Sequence, residues 1–144
     1  MEDLADVLKP LAALVVKDGV CLGGLKPAQR RAVLALAACA IERGAALREA
    51  DVNASLRAFL KGDGVFIATD HVELRRWLID LQWLQRDGYG RAYQRVAPAA
   101  LAPEQQALLE ALEGLPYGSF VSGLRAQAAA RRLARRQHWE YGSP

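Results

Sequence analysis

Between residues 69 and 96 the spacing of apolar side chains changes from a helical period to the pattern of a short hairpin. In residues 69–81 the apolar positions recur every three or four residues, which predicts an amphipathic helix. These positions are Val72, Leu74, Leu78, Ile79 and Leu81. Thr69 is the expected N-cap, with Asp70 and Glu73 in the first turn, where carboxylates complement the helix dipole. One side of this helix should pack on a core, and the other should be exposed.

A β-hairpin is predicted directly after this helix. Residues 84–86 and 91–96 have the composition of short strands. Between them, residues 87–90 include Gly88 and Gly90, which allow the positive φ angles of tight turns. The chain should therefore pass from the helix into two antiparallel strands.

Four further elements are predicted before the helix. Residues 2–16 and 27–43 have apolar positions at helical spacing, and Pro27 suits a first turn. Residues 46–48 are expected to form a minimal strand, and residues 49–61 a helix. From the second helix onward, the order helix, strand, helix, helix, strand, strand is that of a winged helix. The connector before the last helix, about residues 62–68, is longer than the three- or four-residue turn of a tight helix-turn-helix.

The C-terminal part predicts a pair of helices. The first begins at Pro103 and ends at Gly114, and the second begins at Ser119. Leu108 and Leu112 on the first helix are candidates for an interface between two copies of the chain. The second helix carries a basic face of Arg125, Arg131, Arg132, Arg135 and Arg136. Three interpretations of that face stay open: a solvated surface, a nucleic-acid backbone contact, and a contact with an acidic partner or membrane surface.

These elements predict an α+β fold that is mainly α, with a winged-helix-like helical core, a small antiparallel β-hairpin and helices at both ends. Three parts are expected: an N-terminal helix and glycine loop over residues 1–25, the winged-helix-like domain over 26–96, and the helical pair with its basic tail over 97–144. With 144 residues, 52% of them hydrophobic and 24% charged, the chain can build one compact core.

The net charge of +3 comes from 19 basic and 16 acidic residues, which is too small to indicate a nucleic-acid-binding protein by itself. The distribution of the cations is more informative. Arg86, Arg91 and Arg95 gather on the predicted hairpin, and all five cations of the last third lie between residues 125 and 136. The chain can therefore have local positive surfaces although its net charge is small.

Metal, nucleotide and catalytic sites are not predicted. The two cysteines and two histidines offer no CxxC or HxxxH spacing, so no metal is expected. The glycine pair Gly23 and Gly24 is not followed by the GK[ST] of a phosphate-binding loop, and no cofactor is expected. No paired carboxylates or Ser-His-Asp grouping can be assembled, so the protein is predicted not to be an enzyme.

Neither a signal peptide nor a membrane-spanning segment is predicted. The first three residues include two acidic side chains, and no apolar stretch approaches the roughly 20 residues that a bilayer requires. The expected location is the cytoplasm, without membrane contact.

A set of positions between residues 51 and 93 resembles a known family pattern. They are Asp51, Val52, Asn53, Leu56, Asp70, His71, Leu74, Arg75, Arg76, Leu78, Ile79, Asp80, Leu84, Arg86, Gly88 and Tyr93. In them the chain resembles, over about residues 18–95, the bacterial domain of unknown function numbered two thousand and eighty-seven. Members of that family occur alone or behind arsenical-repressor-type winged-helix regulators, so the resemblance implies a regulatory setting. It implies no catalytic residues, because the family has none agreed.

The chain departs from that pattern in two places. Such domains usually have an aromatic residue followed by Ser or Thr and then Glu-Val-Asn, where this chain has Leu47-Arg48 and Asp51-Val52-Asn53. A Leu-x-x-x-Pro start is also common, whereas Leu22 here is followed by Gly-Gly-Leu.

Helix 69–81 and the hairpin together predict a surface for double-stranded DNA, and hence a DNA-associated transcriptional regulator. The candidate contact residues are Arg75, Arg76, Trp77, Arg86, Tyr89, Arg91 and Arg95. The two helix arginines are expected at phosphates or base edges of a major groove, and the hairpin residues at the neighbouring backbone. Glu73 and Asp80 on the same helix argue against this hypothesis, because carboxylates repel phosphates.

Some of these residues have a second interpretation. Arg75, with Asn53 and Asp70, could form a buried hydrogen-bonded cluster that fixes how two helices cross. Trp77 could stack on a base or anchor an interface between subunits. The alternative function is therefore a non-enzymatic protein-interaction or dimerisation module, a homodimer that binds no nucleic acid.

Overall fold

A computed structural model describes residues 4–89, 91–115 and 117–141. Residues 2 and 3 of the predicted first helix, Gly90 of the predicted turn, and Pro116 lie outside the described residues. The α-helices and strands are, in chain order, α1 (Leu4–Leu14), α2 (Pro27–Ala38), α3 (Glu49–Lys61), α4 (His71–Asp80), β1 (Leu84–Arg86), β2 (Tyr93–Arg95), α5 (Pro103–Glu113) and α6 (Tyr117–Tyr141). The predicted class, α+β and mainly α, is confirmed.

Helix α2 lies at the centre of the core. Residues 32–38 of this helix are all buried, and α1 and α5 both pack against it. Helix α5 contributes Leu108 and Leu112, which are only 6% and 0% exposed. The prediction that these two leucines lie at an interface between copies is wrong, because the chain buries them in its own core.

The two strands form an antiparallel pair in which Leu84 faces Arg95 and Arg86 faces Tyr93. Leu47 adds a third, minimal strand on the other side of β2. Its N–H donates to the carbonyl of Tyr93 and its carbonyl accepts from the N–H of Tyr93, both at 2.7 Å. Of the minimal strand predicted at residues 46–48, Leu47 is confirmed, and it pairs with the last strand of the hairpin.

The long connector between α3 and α4 is held from inside and from the N-terminal loop. Phe66 is fully buried. On either side of Ile67, the N–H of Val20 donates to the Phe66 carbonyl at 2.9 Å, and the N–H of Ala68 donates to the Val20 carbonyl at 2.8 Å. These hydrogen bonds give partners to backbone groups of this long connector.

Several helix ends differ from the predictions, and α1 ends at Leu14 instead of residue 16. Helix α2 stops at Ala38 instead of residue 43, because its final turn tightens: Ala40 N–H bonds the Ala37 carbonyl at 3.0 Å. Helix α4 begins after Asp70 and not after Thr69, since the Asp70 carboxylate accepts from the N–H of Glu73 at 2.8 Å. Helix α6 begins at Tyr117, two residues before the predicted start.

The end of α4 sets the direction of the hairpin. Gln82 adopts φ of 65°, in the left-handed region, and the N–H of Trp83 donates to the Leu78 carbonyl at 2.8 Å. This arrangement is the Schellman ending of a helix, with glutamine in the position that glycine usually takes. Val72 and Leu81, which the apolar period placed on the packed side of α4, are exposed because they lie at its two ends.

Candidate nucleic-acid interface

The tip of the hairpin presents its long side chains to solvent. Arg86, Tyr89 and Arg91 are exposed, and the Arg91 guanidinium lies 5.6 Å from the centre of the Tyr89 ring. A carboxylate of Asp87 accepts from the N–H of Tyr89 at 3.2 Å and from that of Arg91 at 2.8 Å. The turn is therefore fixed by its own side chain, while its arginines stay accessible.

Arg76 is the arginine of α4 that is accessible. It is exposed and forms no ion pair among the residues that the structure describes. It shares a shallow, open pocket with Glu73, Trp77 and Asp80. Glu73 is engaged locally, because the Thr69 hydroxyl donates to it at 2.9 Å and the Trp77 indole at 3.4 Å. These neutral donors leave the negative charge of Glu73 in place, so both carboxylates weaken the positive potential around Arg76.

Arg75 lies inside the fold. Its side chain is only 15% exposed, and its guanidinium pairs with Glu49 of α3 at 3.2 Å. It also donates to the side-chain oxygen of Asn53 and lies 5.8 Å from the centre of the Tyr93 ring. Arg75 therefore joins α3, α4 and β2 where the two helices cross. It is not available for the predicted contact with a DNA groove.

The predicted polar cluster contains two of its three members. Arg75 and Asn53 are hydrogen-bonded, but Asp70 is exposed and caps α4. Asp70 does not reach Arg75 because its carboxylate caps α4. A capping carboxylate must turn toward the free N–H groups in the first turn of its own helix.

Arg95 is also buried, although the sequence places it on the hairpin surface with Arg86 and Arg91. It is 8% exposed. It donates to the Ile41 carbonyl at 3.4 Å and to Glu113 at 3.5 Å, and Glu113 also pairs with Arg43. The two-residue period of a strand indicates this burial, because Arg95 lies on the same face of β2 as the buried Tyr93.

Trp77, the candidate for stacking on a base, is half-buried. The Arg30 guanidinium of α2 lies 4.7 Å from the centre of its ring, and Arg30 is itself held by the carbonyls of Leu22 and Leu25, each at 2.9 Å. No local sequence pattern distinguishes Arg30 from a solvated arginine, so its contact with Trp77 is not predictable from the sequence. Arg30 thus covers one face of the Trp77 ring.

On α6, Arg125 differs from the other four arginines. It donates to the carbonyls of Val15 and Lys17 at 2.9 and 3.0 Å and to the Asp18 carboxylate at 2.8 Å. The hydrogen bond from Arg125 lowers the pKa of Asp18 below its usual 3.8, and the charge of Arg132 adds to this effect. Arg125 therefore anchors α6 to the end of α1. The remaining arginines of the helix, Arg131, Arg132, Arg135 and Arg136, are exposed.

The described part of the chain contains no group of three or more His, Cys, Asp or Glu side chains placed to hold a metal ion. Within the same part, each helix is too short or too polar to span a bilayer.

Residues 25–95 match the model of a family described as an uncharacterized protein conserved in bacteria (DUF2087). The match begins just before α2 and ends with β2, so it covers the elements that carry the hairpin and the α3–α4 crossing. The comparisons with curated proteins and with solved structures gave no match. The resemblance stated from the sequence is confirmed, and the family description assigns no activity.

Proposed function

We propose that the segment resembling this uncharacterized bacterial family is a winged helix, and that the protein binds double-stranded DNA as a transcriptional regulator. The observation that carries this proposal is the pairing of Leu47 with Tyr93. It places a minimal strand between the first two helices of the segment beside the last strand of the hairpin. That order and pairing are typical of a winged helix, with the β1–β2 hairpin in the place of the wing.

In this proposal the hairpin makes the main contact. Arg86 and Arg91 are exposed at a turn that Asp87 fixes. Arginines at a rigid tip suit phosphate oxygens, which accept two parallel hydrogen bonds from one guanidinium. Helix α4 contributes Arg76 alone, since Arg75 is held internally. The binding should therefore be dominated by backbone contacts and should discriminate weakly between sequences.

We further propose that the protein acts without catalysis or cofactor, in the cytoplasm, as a homodimer. Its subunit interface lies away from Leu108 and Leu112, because both are buried within one chain.

A titration of fluorescently labelled duplex DNA with the full chain at several salt concentrations tests the proposal. Arg86→Gln combined with Arg91→Gln should weaken binding and lower the slope of log K against log salt by about 1.8, because each lost phosphate contact removes about 0.9. The matched control is Arg57→Gln with Lys61→Gln, which removes two exposed charges from α3. This control should bind as the wild type does.

The result that contradicts the proposal is an absence of duplex binding by the wild type at low salt. Equal losses in the hairpin variant and the α3 control would contradict the assignment of the hairpin. If the wild type does not bind duplex DNA, the alternative, a protein-interaction or dimerisation module, is the better account of the winged-helix-like segment.

A further inference from the structure

The second half of α6 extends beyond the rest of the fold. Val121 is buried and Leu124 half-buried, and Arg125 makes the last contacts to α1 and its following loop. From residue 129 to residue 139, every residue of the helix is exposed. At 1.5 Å per residue these eleven residues form about 16 Å of helix without packing partners.

This projecting segment is strongly and uniformly basic. Its cations are Arg131, Arg132, Arg135 and Arg136, and the sequence has no Asp or Glu between residues 114 and 139. Two arginine pairs, 131 with 135 and 132 with 136, stand four residues apart, where like charges destabilise a helix. The segment thus carries an electrostatic cost that a bound polyanion would relieve.

A tryptophan lies on the same face as three of these arginines. Arg132, Arg135, Arg136 and Trp139 are spaced at i, i+3, i+4 and i+7, which puts them on one side of the helix. Trp139 is 77% exposed. Leaving so large an aromatic surface in water is unfavourable, and a ring among arginines offers a flat partner for another ring.

We propose that this arginine–tryptophan face, consisting of Arg132, Arg135, Arg136 and Trp139, binds single-stranded nucleic acid. The arginines pair with successive phosphates, and an unpaired base stacks on the indole of Trp139. A positive track with an aromatic ring in it is the combination by which proteins bind single strands with little sequence preference. This site is separate from the hairpin and does not depend on the proposed contact with duplex DNA.

The position of the ring favours a single strand over other polyanions. A helix that lies on a membrane surface separates its apolar face from its basic face, whereas Trp139 stands within the basic face and the opposite side offers mainly alanines and Leu133. A stable protein interface needs an apolar core of several side chains, and this face has one. In a duplex the bases are stacked on each other, so the indole would have no base to contact.

The experiment measures binding of the full chain to a labelled oligothymidylate, which has no base pairing, over a range of salt concentrations. Arg135→Gln with Arg136→Gln should weaken binding and lower the salt slope by about 1.4, because each phosphate contact on a single strand contributes about 0.7. Trp139→Leu should lower the affinity about tenfold or more with no change in slope, since it removes stacking but no charge. Trp139→Phe should restore most of that loss.

Two controls separate this site from the rest of the molecule. Arg57→Gln with Lys61→Gln removes two exposed charges from α3 and should leave oligothymidylate binding unchanged. Arg86→Gln with Arg91→Gln should also leave it unchanged, while it weakens binding to duplex DNA. A wild type that binds oligothymidylate but not duplex DNA would therefore count against the function proposed for the hairpin and not against this site.

The inference is overturned if the wild type fails to bind oligothymidylate at low salt. It is equally overturned if Trp139→Leu binds as tightly as the wild type, because the face would then be a general polyanion surface. Competition by duplex DNA or by phosphatidylserine vesicles that is as strong as competition by unlabelled oligothymidylate would have the same meaning.

Discussion

Gly64 has room for a hydrogen and nothing larger. A Cβ at this position would lie 2.7 Å from Cζ and 2.8 Å from Cδ2 of Phe59. The Phe59 ring is buried, so it has little freedom to move aside. The backbone passes under the ring at this point because the N–H of Gly64 donates to the Phe59 carbonyl at 2.8 Å.

Gly64→Ala should therefore lower the free energy of unfolding by about 1–3 kcal/mol, the usual range for overpacking a filled core. Chemical denaturation of the purified protein measures this change. Gly23→Ala is the matched control, because a Cβ at Gly23 meets nothing within 4 Å, and it should stay within about 0.5 kcal/mol of the wild type. Equal stability of the two variants would show that the ring moves freely.

Single residues also show where prediction from the sequence stops. Arg75 and Arg76 are adjacent and chemically identical, yet Arg75 joins α3 to α4 and Arg76 is exposed. A turn of about 100° per residue separates their directions. The sequence gives that difference in angle, but only the position of α3 decides which of the two guanidinium groups meets Asn53 and Glu49.

Helix α6 is held to the body by apolar side chains of its first turns, such as the buried Val121, and by the polar side chain of Arg125. Arg125 donates to two carbonyls after α1 and to Asp18. Hydrogen bonds from a charged donor contribute about 1.5–3 kcal/mol each when well shielded. The side chain of Arg125 is 30% exposed, so the contacts together should contribute less than their sum.

Arg125→Gln should loosen α6 by about 1–2 kcal/mol, discounted for this exposure. Hydrogen exchange should show the loss of protection in the first turns of α6, while α2 keeps its own. Asp18→Asn is the control that removes only the exposed carboxylate, and its effect should be smaller. Equal protection of α6 in wild type and Arg125→Gln would mean that Val121 and its neighbours hold the helix without the arginine.

The same contact gives a dependence on pH. Because Arg125 lowers the pKa of Asp18 in the folded state below 3.8, the ion pair stabilises the fold at pH values above 3.8. This contribution disappears as the pH falls through the lower, folded-state pKa. Protection of α6 should thus decrease below pH 3.8 in the wild type, and this part of the decrease should be missing in Asp18→Asn.

The segment that matches the family, residues 25–95, depends for its packing on helices outside it. Residues 25–95 match the family, but α2, which opens this segment, packs against α1 and α5. Those two helices cover the buried face of α2 with Leu11, Leu108 and Leu112 among others. In addition, Glu113 at the end of α5 is the carboxylate partner of the buried Arg95 on β2.

A fragment of residues 25–96 should therefore fail to unfold cooperatively and should lack near-ultraviolet circular dichroism, as expected when an apolar face loses its cover. A fragment of residues 1–115 keeps α1 and α5 and should retain a cooperative transition. Thermal and denaturant melts of both fragments make the measurement. A cooperative transition of 25–96 equal to that of 1–115 would show that the flanking helices are dispensable.

Several elements were predictable because their causes are local. Helix α3 has the predicted bounds, and α2 and α5 start at the predicted prolines. A helix start depends on a proline or a capping side chain within a few residues of it, so the local sequence is enough to predict it. The strand around Leu47 and strand β1 are also confirmed. For the candidate interface, the sequence correctly predicted an exposed hairpin tip with Arg86, Tyr89 and Arg91.

What the sequence determined by itself is the kind and order of the elements, through periods and start signals that span a turn of chain. What the tertiary structure decided is which side chains remain accessible. The buried Arg95 donates to Glu113, 18 positions away, and Arg125 donates to the carbonyl of Val15, 110 positions away. The periodicity of apolar residues shows which side chains share a face of a helix or strand. The residues that pack over that face come from distant parts of the chain, so the exposure of a side chain is decided only when the helices pack together.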